Sequence, residues 1–562
     1  MSSWIESGLA PFIRGSRKGS ARQWLLALLL ATWAAGCASL PTNVQRTPSQ
    51  AFDAPERTAL GQLVAGKRAQ DHARSDSGFI LLAGVDAAYA SRLALIRAAQ
   101  RSIDLQYYAV HADGSTELLL EALRAAARRG VRIRLLLDDF NTVGKDAQVL
   151  RLAFEPNVQI RLFNPLPGAR DSLIGHIVGS LHDAGRIAKR MHNKLFVVDS
   201  AVGITGGRNL GDAYFGADGK SNFVDLDVLA GGRIVRDMAA SFDRYWNDDL
   251  AYPMQSLVTP QDLERLRQEP AHQDGAARFA PLPAAAASQP DPATVLPNVN
   301  PSDVEHAKRA EFDLDAMHFT WAPSVLLIDK PGKVGPDDDE VNAGDTVIDG
   351  LLQLMDSAKH DVLIVSPYFV PGAQMMAGFE QLKQRGVRVR VLTNSLASND
   401  APAAHAGYAR YRKALLADGV EVHEMRAARG VTGFAVGSNA GLGSAGGGSK
   451  GNGSRASLHS KAVIIDGRLA VIGSMNLDLR SQMKNSEVGL VIRSAAFAKA
   501  CTASIEDMID HGSYLLERRG EGFLWKAPAG ASFKDSTSEP EATWKQKLMA
   551  GAIAPFAPDE ML

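Results

Sequence analysis

The 562-residue chain has only two cysteines, Cys37 and Cys501. That excludes a cysteine-rich metal site and any disulfide framework. It also lacks an excess of charge of either sign, since 61 Lys and Arg stand against 62 Asp and Glu, a formal net charge of −1. There is no global basic field of the kind that non-specific nucleic-acid binding exploits, so no nucleic-acid partner is expected. Long apolar runs are scarce as well. The one near the start, Trp24 to Ala35, falls short of the roughly 20 residues that a membrane span needs. Apolar content is nonetheless 46% and charged content 22%, as in ordinary globular proteins. A chain of this length is expected to form roughly two to four domains.

The apolar run follows Arg14, Arg17, Lys18 and Arg22 and precedes Ala34-Ala35-Gly36-Cys37. Basic, apolar and small-residue segments in that order read as a secretory signal. The cysteine directly after the small residues resembles a bacterial lipobox, although Ala34 stands where Leu is usual. That resemblance implies that Cys37 is acylated and becomes the new N-terminus, and several acyl chains hold a protein durably on a bilayer. Ala38, rather than Asp, follows the cysteine, which by lipoprotein sorting leans towards the outer membrane over the inner. The expectation is a bacterial envelope protein, lipid-anchored and facing the periplasm. Residues 1–36 are its signal peptide and 37–77, with Pro41, Pro48 and Pro55, a tether. Cys501 reads as a small buried helical residue.

From Gly78 onward, helical and apolar strand patterns alternate. Leu93 to Arg101 is helical, Ser102 to Tyr108 a strand, Leu118 to Arg129 a helix closed by Gly130, and Val131 to Leu137 a buried strand. The order recurs later, with Leu351 to Lys359, Asp361 to Pro367, Met375 to Gln384 before Gly386, and Val387 to Leu392; Tyr368 aligns with Tyr108. The chain is therefore expected to be α/β, with two tandem domains of mixed sheet flanked by helices, at 78–255 and 316–520. Residues 256–315 read as a linker, Gly430 to Ser457 as an unstructured Gly/Ser-rich insertion, and 521–562 as a tail. In that tail Trp544, Leu548, Met549 and Ile553 lie at near-helical spacing and are expected to pack against a core, with membrane contact as the lesser reading.

The repeat carries a motif, His-x-Lys-x4-Asp-x6-Gly-(Gly/Ser)-x-Asn. One copy is His192, Lys194, Asp199, Gly206, Gly207 and Asn209; the other is His459, Lys461, Asp466, Gly473, Ser474 and Asn476. Such a pattern arises by chance roughly once in a million start points. Two copies indicate a duplicated catalytic unit whose imidazoles and ammoniums suit attack on a phosphodiester. On a strand, His and Lys two apart share one face. Asp199 and Asp466 then fall in hairpin turns, off that face, and read as structural. The Gly-Gly and Gly-Ser steps allow close backbone approach and return Asn209 and Asn476 towards the phosphate.

The motif resembles that of the phospholipase D superfamily. The segments Leu105 to Tyr108, Arg190 to Leu195, Gly206 to Phe215, Asp225 to Leu229, Ser366 to Pro371 and Thr393 to Asp400 look like its bacterial cardiolipin synthase C branch. The resemblance covers nearly all of residues 78–562. It implies a pseudo-two-fold pair of domains sharing one site. His192 is then a nucleophile that forms a phosphohistidine and His459 a general acid and base. Lys194, Lys461, Asn209 and Asn476 stabilise the non-bridging oxygens, while Glu487 orients His192 and Asp225 orients His459 across the dyad. No metal or cofactor is needed, because the ammoniums supply the positive charge. The partners implied are phospholipids and an envelope membrane. Cardiolipin synthesis is the first expectation, from phosphatidylglycerol with phosphatidylglycerol or phosphatidylethanolamine. Hydrolysis to phosphatidic acid, a periplasmic nuclease and a non-enzymatic lipoprotein follow in that order. His318, His405 and His423 have no comparable context, although His405 could meet substrate. Tyr108, Tyr368 and Phe369 read as core or rim aromatics near the cleft, and Arg132, Arg134, Arg388 and Arg390 as charges at strand edges or sheet flanks.

Overall fold

The computed structural model describes residues 40–142, 144–167, 183–218, 221–258, 264, 312–335, 345–427 and 455–553. The expected signal peptide with Cys37, most of the linker, and the insertion up to 454 lie outside them. The strands are β1 (Ser77–Leu82), β2 (Ser102–Tyr107), β3 (Arg132–Asp138), β4 (Val158–Phe163), β5 (Arg190–Met191), β6 (Leu195–Val198), β7 (Val202–Gly206), β8 (Ser221–Val224), β9 (Asp227–Gly232), β10 (Ala251–Pro253) and β11 (Thr320–Trp321). They continue as β12 (Ser324–Ile328), β13 (Asp361–Val365), β14 (Arg388–Asn394), β15 (Glu421–Met425), β16 (Arg455–Leu458), β17 (Ala462–Ile465), β18 (Leu469–Gly473), β19 (Asn485–Ser486), β20 (Val488–Arg493), β21 (Ser513–Arg519) and β22 (Gly522–Lys526).

Two nine-stranded sheets result, ordered β10-β4-β3-β2-β6-β7-β9-β1-β11 and β12-β20-β18-β17-β13-β14-β15-β21-β22. In each, three strands run parallel, β2-β3-β4 and β13-β14-β15, and two antiparallel hairpin strands adjoin them. The duplication read from the sequence is thus a duplication of strand order. Alternation along the motif strands explains the layers. Leu195 and Val197 of β6, with Ala462 and Ile464 of β17, turn into a core shared by both halves, which also takes Met238, Leu458, Phe497 and Ile505. Phe196 and Val198 face a separate core under the helices Val85–Ala98 and Gly114–Arg128. The period-2 pattern buries both faces of each sheet, as expected when helices cover the outer sides.

Several sequence boundaries shift. The expected tether contains a helix, Ala59–Gln70, capped by Thr58, because Leu60 and Val64 lie four apart and both enter the first core. β11 lies within the span expected for the second domain but pairs with β1 of the first sheet. β22, placed in the tail, joins the second sheet through a hairpin whose Gly520 has φ 59°, and its Trp525 packs into that half's core. Arg455 to Ser457, read as the end of an insertion, begin β16. Arg134 is not an edge charge either: it is buried on β3, 2.6 Å from Asp104 and 2.8 Å from Asp243. Alternation with apolar residues marks a buried face as readily as an exposed one when a carboxylate waits on the next strand.

Asp199 and Asp466 occupy the β6–β7 and β17–β18 turns with positive φ, 53° and 51°, the conformation that hairpin turns demand. Asp199 accepts hydrogen bonds from the amides of Gln100 (3.0 Å), Arg101 (2.7 Å) and Ser102 (2.9 Å). Asp466 accepts those of Lys359, His360 and Asp361 in the same way. Each carboxylate ties a motif hairpin to the start of a parallel strand, β2 or β13. Asp199→Ala leaves those amides without their acceptor, and we expect a loss of about 2–4 kcal/mol in urea unfolding. Turnover per folded molecule should be unchanged.

Candidate active site

Two further ladders cross between the halves. β5 pairs in parallel with β19, and β8 with β16. β5 ends one residue before His192 and β19 one residue before Glu487; β8 ends before Asp225 and β16 before His459. The amide of His192 donates to Ser486 O (2.9 Å), and that of His459 to Val224 O (2.8 Å). Each ladder therefore delivers an imidazole from one half against a carboxylate from the other. His192 Nδ1 lies 3.0 Å from Glu487 Oε2 and His459 Nδ1 2.6 Å from Asp225 Oδ2. With Nδ1–H donating its hydrogen bond to the carboxylate, the Nε2 of each neutral imidazole is left with its lone pair. The two side chains keep 10% and 7% of their surface exposed.

The motif's His and Lys do not share a continuous strand, contrary to the sequence expectation. His192–Lys194 fills the break between β5 and β6, and His459–Lys461 the break between β16 and β17. The reason is that the chain changes partners there, from the cross-half ladder to its own sheet. Each lysine then folds back, Lys194 Nζ donating to His192 O (2.8 Å) and Lys461 Nζ to His459 O (2.6 Å). Asn209 donates to Tyr214 Oη (2.9 Å) and accepts from the Ala109 amide (3.3 Å). Asn476 has a buried Oδ1 with no hydrogen-bond partner, and its amide donates to Ser481 Oγ (3.2 Å).

Burial dominates the electrostatics. Desolvation, then the Lys194 and Lys461 ammoniums, push His192 well below the ordinary 6.5, and His459 is lowered likewise, with His192 itself contributing. Desolvation lowers Lys194 to about 7 and Lys461 to about 8, against the attraction of Glu487 and Asp225. It raises Asp225 to about 6 and Glu487 to about 7. These mutual effects place all six groups in one site, with neutral imidazoles, lysines that are protonated below about 7 to 8 and carboxylates that are neutral below about 6 to 7, so the pocket suits an anion increasingly as pH falls. Among the described residues no group of three or more His, Cys, Asp or Glu is placed to hold a metal ion.

The two halves are not equivalent. Ser474 Oγ donates to Glu487, and Ser481 Oγ adds a second hydrogen bond at 3.0 Å. At the matching position Gly207 leaves room for Asp225, since a Cβ there would fall 2.1 Å from Asp225 Oδ1. Glycine with the shorter acid and serine with the longer acid thus form two local solutions. The sequence pattern gave Ser474 only a part in the close backbone approach of the Gly-Ser step and none for its hydroxyl, although the Gly/Ser difference between the copies was visible. It also assigned none to Tyr214 and Phe223, whose rings lie 5.4 and 4.9 Å from His459. Tyr108 does reach the site, edge-on to His192 at 5.1 Å, and Tyr368 Oη donates to Asp400 (2.9 Å). Phe369 is core. His405 is buried beside Arg412 and Tyr408, His423 pairs with Glu421 (2.9 Å), and His318 is exposed.

The family model described as cardiolipin synthase, PLD-like domain, matches residues 93–246 and 351–509. The chain is 38% identical to cardiolipin synthase C of Escherichia coli over 422 residues, 73% of this chain and 80% of that protein. It is 30% identical to an uncharacterized protein of Helicobacter pylori over 519 residues, 92% and 95% of the two chains. The crystal structure of phosphatidylserine synthase from Haemophilus influenzae superposes with a TM-score of 0.51 at 15% identity, over 80% of this chain and 91% of that one, a likeness of fold.

Two outcomes follow from the geometry. Affinity for sulfate, whose own charge is constant near neutrality, should fall as pH rises through about 7 to 8, where Lys194 and Lys461 lose their protons; calorimetric titration showing constant or rising affinity there contradicts the assignment. Gly207→Ser should displace Asp225 and cost roughly 100-fold in turnover of a model phosphodiester, whereas Ser474→Gly, which removes one hydrogen bond, should cost roughly tenfold or less.

Proposed function

The chain belongs to the phospholipase D superfamily, in the cardiolipin synthase family, and from that premise we propose that it transfers a phosphatidyl group through a phosphohistidine to the hydroxyl of phosphatidylglycerol, making cardiolipin. The observation that carries this reading is the crossed pairing of His192 with Glu487 and His459 with Asp225 in one buried site. The donor is phosphatidylglycerol or phosphatidylethanolamine, and cardiolipin synthase C, as the name of the E. coli relative, supports that product.

In the first step His459 takes a proton from solvent as the anionic phosphodiester enters and favours the imidazolium; the lone pair on His192 Nε2 attacks phosphorus, and the bond from phosphorus to the headgroup oxygen breaks as His459 gives that oxygen this proton. In the second, neutral His459 takes the proton of the incoming hydroxyl, whose oxygen attacks phosphorus and expels His192. The assignment of roles is supported by the two carboxylates. Asp225 is the nearer to its imidazole, at 2.6 Å, and is ionised to a lower pH than Glu487. A closer and more fully charged partner favours the imidazolium, which suits His459 as the acid. Lys194 and Lys461, with Asn209 and Asn476, stabilise charge on the non-bridging oxygens. The Tyr108, Tyr214 and Phe223 rings beside the imidazoles limit water, and transfer depends on that exclusion.

Placement at the envelope, anchored through Cys37, facing the periplasm and at the outer membrane, belongs to the same proposal and rests on the leader pattern. No helix among the described residues is long and apolar enough to cross a membrane.

With defined phosphatidylglycerol and phosphatidylethanolamine vesicles, the purified protein should form cardiolipin, and His192→Ala should abolish an acid-trapped phosphoryl-enzyme. Phosphatidic acid as the sole product would make it a hydrolase. Cleavage of DNA with phospholipids left intact would remove both lipid readings.

A further inference from the structure

The C-terminal helix Trp544–Ile553 has its amphipathic sense inverted. At about 100° per residue, the half-buried Gln546, Ala550 and Ile553 share the side that packs on the helix Pro402–Ala417. The outward side carries Trp544 and Leu548, which are 69% and 64% exposed, while Met549, 50% exposed, lies on the flank beyond Lys545. The expected stripe is therefore split: Ile553 lies towards the domain with Gln546 and Ala550, whereas Trp544 and Leu548, its two largest members at the head of the helix, face away from it. Lys545 and Lys547 are exposed as well. They fall about 80° to either side of the line between Trp544 and Leu548, and the helix carries no acidic residue. An apolar strip flanked by lysines and headed by tryptophan is the pattern of a helix lying in a bilayer interface, where long basic side chains reach the headgroups.

We propose that this helix docks the enzyme on the surface of an anionic phospholipid bilayer, beside the opening of the two-histidine site. The inference rests on the lipid reading above and names the surface from which that site draws substrate.

The attachment of the helix supports this placement. Thr543 caps it, Thr543 Oγ1 accepting from the Gln546 amide at 3.3 Å. The acidic residues just before it are already paired, Glu539 with Arg412 (3.2 Å) and Glu541 with Arg426 (2.7 Å), rather than with the two lysines. Gln546 Nε2 donates to Leu396 O (3.4 Å), in the turn that leads from β14 to Asp400. That turn belongs to the site: Asn394 holds the Leu458 amide (2.9 Å), next to His459. Asp400 is itself exposed and bonded to Tyr368, and it acts electrostatically on Lys461 and Tyr214. It marks the open side of the site, and the helix is fixed four residues away.

The test uses the full chain and two physical forms of one substrate: vesicles of phosphatidylglycerol with phosphatidylcholine, and short-chain phosphatidylglycerol below its micellar concentration. The combined Trp544→Ala, Leu548→Ala and Met549→Ala variant should lose at least about tenfold of the vesicle rate and keep the monomer rate. Lys545→Glu with Lys547→Glu, which leaves the apolar strip in place, should lower the vesicle rate as the phosphatidylglycerol fraction rises. Vesicle rates equal to wild type in both variants overturn the inference while the lipid function stands. Loss of a wild-type self-association with both rates intact also overturns it, making the face a contact between copies. A wild type inactive on both forms overturns the lipid function, and the inference with it.

Discussion

Each imidazole of this site is held by a carboxylate that belongs to the other half of the molecule, and the rest of the structure follows from that crossing. His192 is useless to its own domain without Glu487, and His459 without Asp225. Two short parallel ladders, β5 with β19 and β8 with β16, fix the register of that exchange immediately before the reacting residues. The core shared between the sheets keeps the ladders from sliding. Neither half could present a complete site alone, which is why duplication, rather than elaboration of one domain, gives the pocket its two imidazoles and two ammoniums.

The buried location sets the proton affinities of those groups. Taken out of water, the imidazoles stay neutral, the lysines hold their protons weakly and the carboxylates are reluctant to ionise. In the proposed reaction, a phosphodiester anion entering the site would favour the protonated lysines, so binding and activation would be one electrostatic event. The departure from two-fold symmetry at Gly207 and Ser474 gives the two carboxylates different hydrogen-bond environments, and a reaction that needs one base and one acid requires such a difference.

Much of this was legible in the sequence. The doubled motif pointed to the side chains that the structure brings into one site, and the repeated strand and helix order named the fold. The turn residues Asp199 and Asp466 declared themselves by parity with the strands that precede them. What was not legible depended on pairing between distant segments. Nothing local says that Arg190 and Met191 lie against Asn485 and Ser486, so the break in the strand at His192 could not be read. Arg134 looked like a flank charge because its partners, Asp104 and Asp243, lie 30 and 109 residues away along the chain. Trp544 and Leu548 had the spacing of a core stripe, and spacing alone does not say which side of a helix meets the protein.

The central claim is that one phosphorus at a time is handled by both halves together. Acid quenching of the enzyme during turnover of a radiolabelled phosphatidyl donor, followed by counting and mapping the bound label, tests it most directly. The account predicts no more than one phosphoryl group per chain, carried on His192. Two groups per chain, one on each motif histidine, would mean two independent sites and would contradict it.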